Sequence, residues 1–335
     1  MDERRMAPTV SVALCTYEGE RFVAEQVRSI LEQTRPASEL VIADDGSTDG
    51  TLGVIEATVA DYRSKHPDAV PQIRVLSGPP PRGVAANFER ALRACTGDLV
   101  ALSDQDDVWH PERLERMVAA FEAMPDATLL HSDARLVDAT GADLGRTLFA
   151  ELGITPAERA EVASGRGFDA LLRRNIATGA TTMLRVSVRD AALPIPPGWL
   201  HDEWLAVVAA ATGRTAILDE ALTDYRQHGG NQIGAEQRTL GVKLGRLREP
   251  RGPRNARLLE RARSMAARLA DLDGVGDDKR AAAKAKLSHE SHRSALPARR
   301  IARVGRVLLA ARRGDYARFG NGAQDVLRDL VQPVS

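Results

Sequence analysis

The chain has 335 residues, 43% of them hydrophobic, with 46 Lys and Arg balancing 46 Asp and Glu. That is an ordinary soluble composition, long enough for one large core with an appendage or for two domains. No window approaches the roughly 18 unbroken apolar residues of a membrane span, and the start, Met-Asp-Glu-Arg-Arg-Met-Ala-Pro, lacks the apolar core of a signal peptide, so a cytoplasmic protein is expected. Cys15 and Cys95 stand alone in apolar surroundings, which excludes a disulfide framework and a zinc site and predicts two buried thiols.

Val10 to Leu14 reads as a buried strand, and Val23, Val27, Ile30 and Leu31 then mark one helix face. Leu40 to Ala43 is a second strand, Ile73 to Leu76 a third, and Leu99 to Leu102 a fourth. Between the last two, Val84, Phe88, Ala91, Leu92 and Cys95 form a helix that Gly97 is expected to close. Continuous apolar strands alternating with helices imply parallel pairing covered on both faces. Pro111 is expected to open the helix of Leu114, Met117, Val118 and Phe121. Thr128 to Val137 and Ala177 to Val186 read as further strands, Trp204 to Ala211 as a helix, and Ala216 to Leu218 and Leu222 to Tyr225 as two short strands.

Beyond residue 236 the strand signal ends and Arg-rich, Ala- and Leu-rich helices take over, so the chain divides into 8–235 and 236–335. Residues 236–335 hold 23 Lys and Arg against 11 Asp and Glu, a net +12, which leaves the preceding residues at −12. In Ala298 to Ala311 the apolar Ile301, Val304, Val307 and Leu308 oppose Arg299, Arg303 and Arg306. That face either packs on the preceding domain or docks on an anionic membrane surface. With aromatics at only 4% and no recognition motif, a nucleic-acid partner is not expected.

In parallel sheets ligands bind beyond the carboxyl ends of the strands. Three polar strand ends fall on that edge here: Thr16-Tyr17-Glu18, Asp44-Asp45, and Asp104 to Asp107. A buried strand delivering Asp104 and Asp106 can hold a hard divalent cation against a diphosphate, whereas Asp107 either joins them or caps the following helix. The alternative, a solvated acidic turn, leaves three like charges repelling one another. Ser47, Thr48 or Asp49 is placed to cap the helix after the second strand, and a carboxylate at Asp44 or Asp45 can accept from the imide N–H of a pyrimidine base. No glycine-rich phosphate loop follows the first strand, which argues against dinucleotide and P-loop enzymes. Either Asp202 or Glu203, in Trp199-Leu-His-Asp-Glu-Trp204, can serve as a general base. In Tyr225-Arg-Gln-His-Gly-Gly-Asn231, Arg226 can fork onto phosphate oxygens, and His228 can ligate a metal or donate to phosphate.

Taken in order and spacing, Thr9 to Glu18, Asp44-Asp45-Gly-Ser-Thr-Asp49, Ser103-Asp-Gln-Asp-Asp-Val-Trp109 and His201-Asp202 resemble family 2 glycosyltransferases of the GT-A fold over about residues 8 to 235. The Ser-Asp-Gln-Asp-Asp-Val-Trp form, with Leu200-His-Asp-Glu-Trp204 and Tyr225-Arg-Gln-His228, is similar to a bacterial rhamnosyltransferase-like subgroup that builds surface polysaccharides. The resemblance implies an α/β fold with a nucleotide-binding mixed sheet flanked by helices. It also implies a nucleoside diphosphate sugar donor bound by Thr16, Tyr17, Glu18, Asp44, Asp45, Asp104 and Arg226. The metal, Mg²⁺ or Mn²⁺, falls to Asp106, Asp104 and His228, and the catalytic base to Asp202, with His201 where the family usually has an acidic residue. The acceptor is then a hydroxyl of a saccharide or lipid-linked saccharide, the transfer inverting, the donor dTDP-L-rhamnose or else a UDP-sugar, and the location cytoplasmic or peripheral on the inner face of the cell membrane. The Gln-x-x-Arg-Trp motif of processive members is absent, so one sugar per encounter is expected. A sugar-nucleotide nucleotidyltransferase is the alternative enzyme class.

Overall fold

The computed structural model describes residues 7–228 and 250–333. The expected boundary at 235/236 and the Gly229 to Asn231 end of the glycine loop lie outside the described residues. Nine strands form one sheet in the order β3-β2-β1-β4-β8-β6-β9-β5, with β7 paired to β6. Strands β1 (Val10–Thr16), β2 (Glu39–Asp44), β3 (Gln72–Leu76) and β4 (Leu99–Ser103) are parallel. From β4 onward the sheet is mixed: β8 (Thr182–Arg185) runs antiparallel to β4 and to β6 (Ala127–Val137), and β9 (Arg214–Arg226) runs parallel to β6. The two-residue β5 (Val108–Trp109) pairs antiparallel with β9, and β7 (Asp143–Thr147) with β6.

Alternating side chains of β1, β2 and β4 feed two cores. Ala13, Cys15, Val41, Ala43, Val100 and Leu102 meet Phe88, Ala91 and Leu92 of α3 (Val84–Ala94). On the other face Val12, Leu14, Leu40, Ile42 and Ala101 meet α1 (Val23–Leu31), α2 (Thr51–Lys65) and α4 (Arg113–Ala123). Both cysteines are buried and free. β3 departs from the expected buried run. It is an edge strand, half in solvent, with Val75 exposed.

Several boundaries move for local reasons. Helix α3 ends at Cys95, whose extended backbone stops it. Gly97 is required instead by close approach, because a Cβ there would lie 2.8 Å from the Ser11 nitrogen. Pro111 stands two residues before α4 rather than opening it. The segment expected to be a strand from Ala177 starts with a 3₁₀ turn at Gly179–Thr181 and pairs only over Thr182–Arg185, passing into α8 (Val186–Ala192). The two short strands before Arg226 are one strand, interrupted where Asp219 and Glu220 bulge out between the Ser132↔Leu218 and Asp133↔Ala221 pairs.

Short helices α5 (Leu148–Leu152), α6 (Pro156–Ala163) and α7 (Gly167–Arg173) follow β7, and α9 (His201–Thr212) lies between β8 and β9. The C-terminal part is entirely helical in its described residues: α10 (Arg251–Asp271), α11 (Asp277–Ser294), α12 (Arg300–Arg312), α13 (Asp315–Phe319) and α14 (Ala323–Val331). Met265, Leu269, Val275, Ala282, Ala283 and Phe319 join the same core as α7 and α9. No helix among the described residues is long and apolar enough to cross a membrane.

Candidate active site

Because β1, β2 and β4 are parallel neighbours, their carboxyl ends share one edge of the sheet, and the loops that leave them tie together there. Asp44 is fully buried. Its Oδ2 accepts from Thr16 Oγ1 (2.9 Å) and Ser47 Oγ (2.6 Å), and its Oδ1 from the Ser47 and Gly46 amides (2.9 and 3.1 Å). Asp45 accepts from the Arg82 and Gly83 amides, both at 2.8 Å, and so closes the N-terminus of α3. Glu18 holds a left-handed backbone (φ 50°). Its amide donates to Ser47 Oγ (2.9 Å) and its carboxylate accepts from the Thr48 amide (2.7 Å). Asp49 accepts from the Thr51 amide (3.0 Å) in the first turn of α2, whose N-cap position is Gly50. Tyr17, half exposed, is clipped through its main chain to Gln105: its amide donates to Oε1 (2.8 Å) and its carbonyl accepts from Nε2 (2.9 Å). Gly19 leaves room for this clip, since a Cβ there would collide with the Gln105 amide.

The acidic segment after β4 crosses this edge. Burial, then the neighbouring Asp106 and Asp202 carboxylates, push Asp104 up to about 7. Asp107 is raised well above the usual range by burial and by Asp106 and Asp104. Its Oδ1 accepts from the Arg226 amide (3.1 Å), while its buried Oδ2 has no hydrogen-bond partner. Asp107 therefore does not cap α4, whose N-cap position is Glu112; it lies within range of the Asp104 and Asp106 charges. Arg226, the candidate for a fork onto phosphate, is engaged within the protein. Its buried guanidinium donates from Nε to the Asp106 carbonyl (2.8 Å), from Nη1 to the Ala139 carbonyl (3.3 Å) and from Nη2 to Glu25 (2.5 Å), so it braces the acidic segment. His228 Nε2 lies 2.8 Å from Asp106 Oδ2, and its ring rests near Phe22 at 4.7 Å.

Asp202 faces the same space from the start of α9. Its Oδ1 accepts from the Glu203 amide (2.7 Å) and its Oδ2 from the Gly179 amide (3.2 Å); burial raises its pKa. This explains the turn that replaces the start of the expected strand, since Gly179 must bring its amide to Asp202 and a side chain there would meet His201. His201 stacks on Phe88 with centroids 3.6 Å apart, and burial drives it down to about 3, which makes it a neutral packing group. Glu203 turns away to Arg261 of α10, Nη2 to Oε2 2.7 Å. The structure thus separates the two carboxylates that sequence left equivalent.

The residues that sequence reasoning did not single out are the supports. Arg113 is fully buried below the acidic segment, its guanidinium 3.9 Å from the Trp109 ring centroid and its Nη1 donating to Thr223 Oγ1 (2.8 Å). Its charge works against the rise that burial gives Asp104 and Asp107. Gln26, in the amide orientation that satisfies both ends, donates to the Asp107 carbonyl (2.6 Å) and accepts from Trp109 Nε1 (3.0 Å). An arginine and a glutamine on amphipathic helices carry no sequence signal of such roles.

Among the described residues no three His, Cys, Asp or Glu side chains cage a metal by themselves. The donor set nevertheless fits a divalent cation that keeps substrate and water ligands: mutually repelling carboxylates raised in pKa, a buried orphan oxygen on Asp107, and an imidazole on Asp106. A cleft of about 660 Å³ lies elsewhere, between α1 and β5 and lined by Glu25, Trp109, Arg135 and Asp224. It includes none of Asp104, Asp106 and Asp202, and we place the site by the carboxylates.

Residues 11–177 match the family model described as Glycosyl transferase family 2. These residues belong to that family. Among curated relatives of the chain are the putative glycosyltransferase EpsE of Bacillus subtilis, 37% identical over 34% of this chain and 39% of that protein, and the dTDP-rhamnosyl transferase RfbG of Shigella flexneri, 26% identical over 66% of this chain and 74% of that protein. The chain aligns with only 35–59% of the length of the first curated relatives. Among solved structures, Staphylococcus aureus TarS residues 1–349 in complex with UDP superposes with TM-score 0.54 at 19% identity, covering 84% of this chain and 70% of that one. The mannosyltransferase PcManGT of Pyrobaculum calidifontis, in complex with GDP-Man and Mn²⁺, gives TM-score 0.51 at 18% identity over 92% and 76%. These likenesses establish the GT-A architecture.

Proposed function

We propose that the chain is an inverting, metal-dependent transferase that moves L-rhamnose from dTDP-L-rhamnose to a hydroxyl of a saccharide or lipid-linked saccharide in bacterial surface-polysaccharide synthesis. It would act in the cytoplasm, peripheral to the inner face of the cell membrane. Family membership favours glycosyl over nucleotidyl transfer. The likeness to RfbG favours rhamnose, and the UDP complex of TarS keeps a UDP-sugar as the second donor.

The observation that carries the reading is Asp202. It is a carboxylate held by two amides and raised in pKa by burial, and it faces the acidic strand end while its neighbour Glu203 is neutralised by Arg261. The acceptor oxygen attacks the anomeric carbon as its proton passes to an Asp202 oxygen, and the bond from that carbon to the diphosphate oxygen breaks. The base of the donor lies against the turn of Thr16, Tyr17, Glu18, Asp44 and Asp45. Asp104, Asp106 and His228 would hold Mg²⁺ or Mn²⁺, which would stabilise the charge of the leaving diphosphate. Arg226 and Arg113 fix the acidic segment rather than touch the donor.

The test uses the purified chain with Mn²⁺, dTDP-L-rhamnose and UDP-sugars, and a panel of saccharide acceptors. Release of nucleoside diphosphate is expected, and Asp202→Asn should lower kcat by about 10²- to 10⁴-fold with donor affinity kept. Release of pyrophosphate, or wild-type turnover by the variant, would overturn the assignment; full activity in excess chelator would remove the metal.

A further inference from the structure

Helix α12 turns its faces the opposite way from simple amphipathic packing. The buried side carries Arg303, Val307 and Ala310, and Arg303 Nη2 donates to the Leu330 and Gln332 carbonyls at the end of α14 (2.9 and 2.7 Å). The side in solvent carries Ile301, 90% exposed, with Val304 and Leu308 on the same stripe and Leu309 widening it. Of the eight exposed large hydrophobic residues among those described, five lie on α12 and on α14, which packs against it: these four and Leu327.

The charge around the stripe has one sign. Residues 295–314 contain six arginines and no Asp or Glu. Arg303 is consumed internally. Arg299, Arg300, Arg306, Arg312 and Arg313 are exposed, and none forms an ion pair among the described residues. Arg300 and Arg306 flank the stripe on opposite sides. A concentrated apolar patch needs a cover, and this one is rimmed by cations that would repel a second copy of the same face. An apolar stripe bordered by arginines matches the boundary of acyl chains and anionic headgroups, in the manner of helices that lie in the interface plane.

We propose that the outward face of α12 is a membrane-docking surface. Ile301, Val304 and Leu308 enter the headgroup boundary of an anionic phospholipid bilayer, and the flanking arginines pair with lipid phosphates. The proposal rests on the reading that the acceptor is presented at a membrane, and it names the surface that meets it.

Flotation of the full chain with phosphatidylcholine vesicles, with and without phosphatidylglycerol, tests this. Binding to the anionic vesicles is expected, weakening with salt. The double variant Ile301→Asp, Leu308→Asp should bind on the order of tenfold or more weaker. Arg300→Glu with Arg306→Glu should also weaken binding and flatten its salt dependence. Because all four side chains point to solvent, both variants should keep the melting temperature and the transfer rate to a soluble acceptor. Failure of the wild type to float, or equal flotation by the Asp variant, would overturn the proposal. So would a light-scattering mass that falls from dimer to monomer in the Asp variant, which would assign the face to a second copy. Transfer without flotation sinks this proposal alone, whereas flotation without transfer on any donor sinks the proposed function alone.

Discussion

Arg261 reaches Glu203 across 58 positions of sequence, and its guanidinium also lies 4.1 Å from the Trp199 ring centroid. It lowers the pKa of both Glu203 and Asp202 against the burial that raises them. Removing it leaves Glu203 half-buried without a cation, a loss of about 1–3 kcal/mol for such a group. It should also raise Asp202 further. As the proposed base, Asp202 must be ionised to act, and a higher pKa trims activity from the acid side, so Arg261→Met should move the acid limb of the kcat–pH profile to higher pH. A limb that stays in place while stability falls would reduce Arg261 to a packing residue. Asp104 and Asp106 stand out in the sequence because a buried apolar strand that ends in carboxylates contradicts its own local chemistry, whereas carboxylates at a helix start are ordinary, and that left Asp202 level with Glu203. The roles of Arg226, Arg113 and Arg261 do not show in the sequence. Whether a guanidinium meets a ligand or a carbonyl depends on which distant chain end folds beside it, and Arg226 finds Glu25, Ala139 and Asp106 there.

At the scale of elements, β1, β2 and β4 could be read because both sheet faces are covered there, which forces unbroken apolar runs; β3, at the sheet edge, is half in solvent. The misplaced limits lie where tertiary contacts override periodicity: at Gly179, whose amide serves Asp202; at the Asp219 and Glu220 bulge; and on α12, where Arg303 takes an inward position to hold the carbonyls of α14. Helix α11 hides a further device of this kind. His289 is buried with its ring edge against Tyr316 (5.0 Å) and near Phe319 (5.7 Å), and burial pulls it down to about 4. Glu290 and Asp315 favour its charged form, and Lys286 and Arg293 oppose it. A histidine depressed below its unfolded value contributes stability that is present above pH ~6.5 and lost as pH falls toward 4. At pH 5 the loss is about 2 kcal/mol. The buried Asp104 and Asp107 push the other way over the same range, so the informative quantity is a difference between proteins. His289→Leu should lose less melting temperature than wild type between pH 7.5 and pH 5; equal losses would show that the ring is protonated in place.

At the scale of the whole molecule, the charge division of the sequence proves to be partly a device for joining its two halves. Arg268 donates to the Ala191 and Leu193 carbonyls at the end of α8 (2.9 and 3.0 Å), and Lys279 to the Ala210 and Ala211 carbonyls at the end of α9 (2.7 and 3.2 Å). Cations from the basic helices thus satisfy carbonyl ends, and the negative dipole poles, of α8 and of α9, which carries Asp202. The same helices bury Met265, Leu269, Val275 and Phe319 in the core beside α7 and α9. Each such side chain is worth roughly 1.5–3 kcal/mol on burial, in sum comparable with the roughly 5–15 kcal/mol of net stability of a typical domain. A chain ending at residue 249 should therefore lose its cooperative melt and become protease-sensitive in α9, and with it the placement of Asp202 and the Glu203–Arg261 pair. A truncated chain that melts cooperatively within a few degrees of the full one would make residues 250–333 an independent unit and separate the docking helices from the catalytic site.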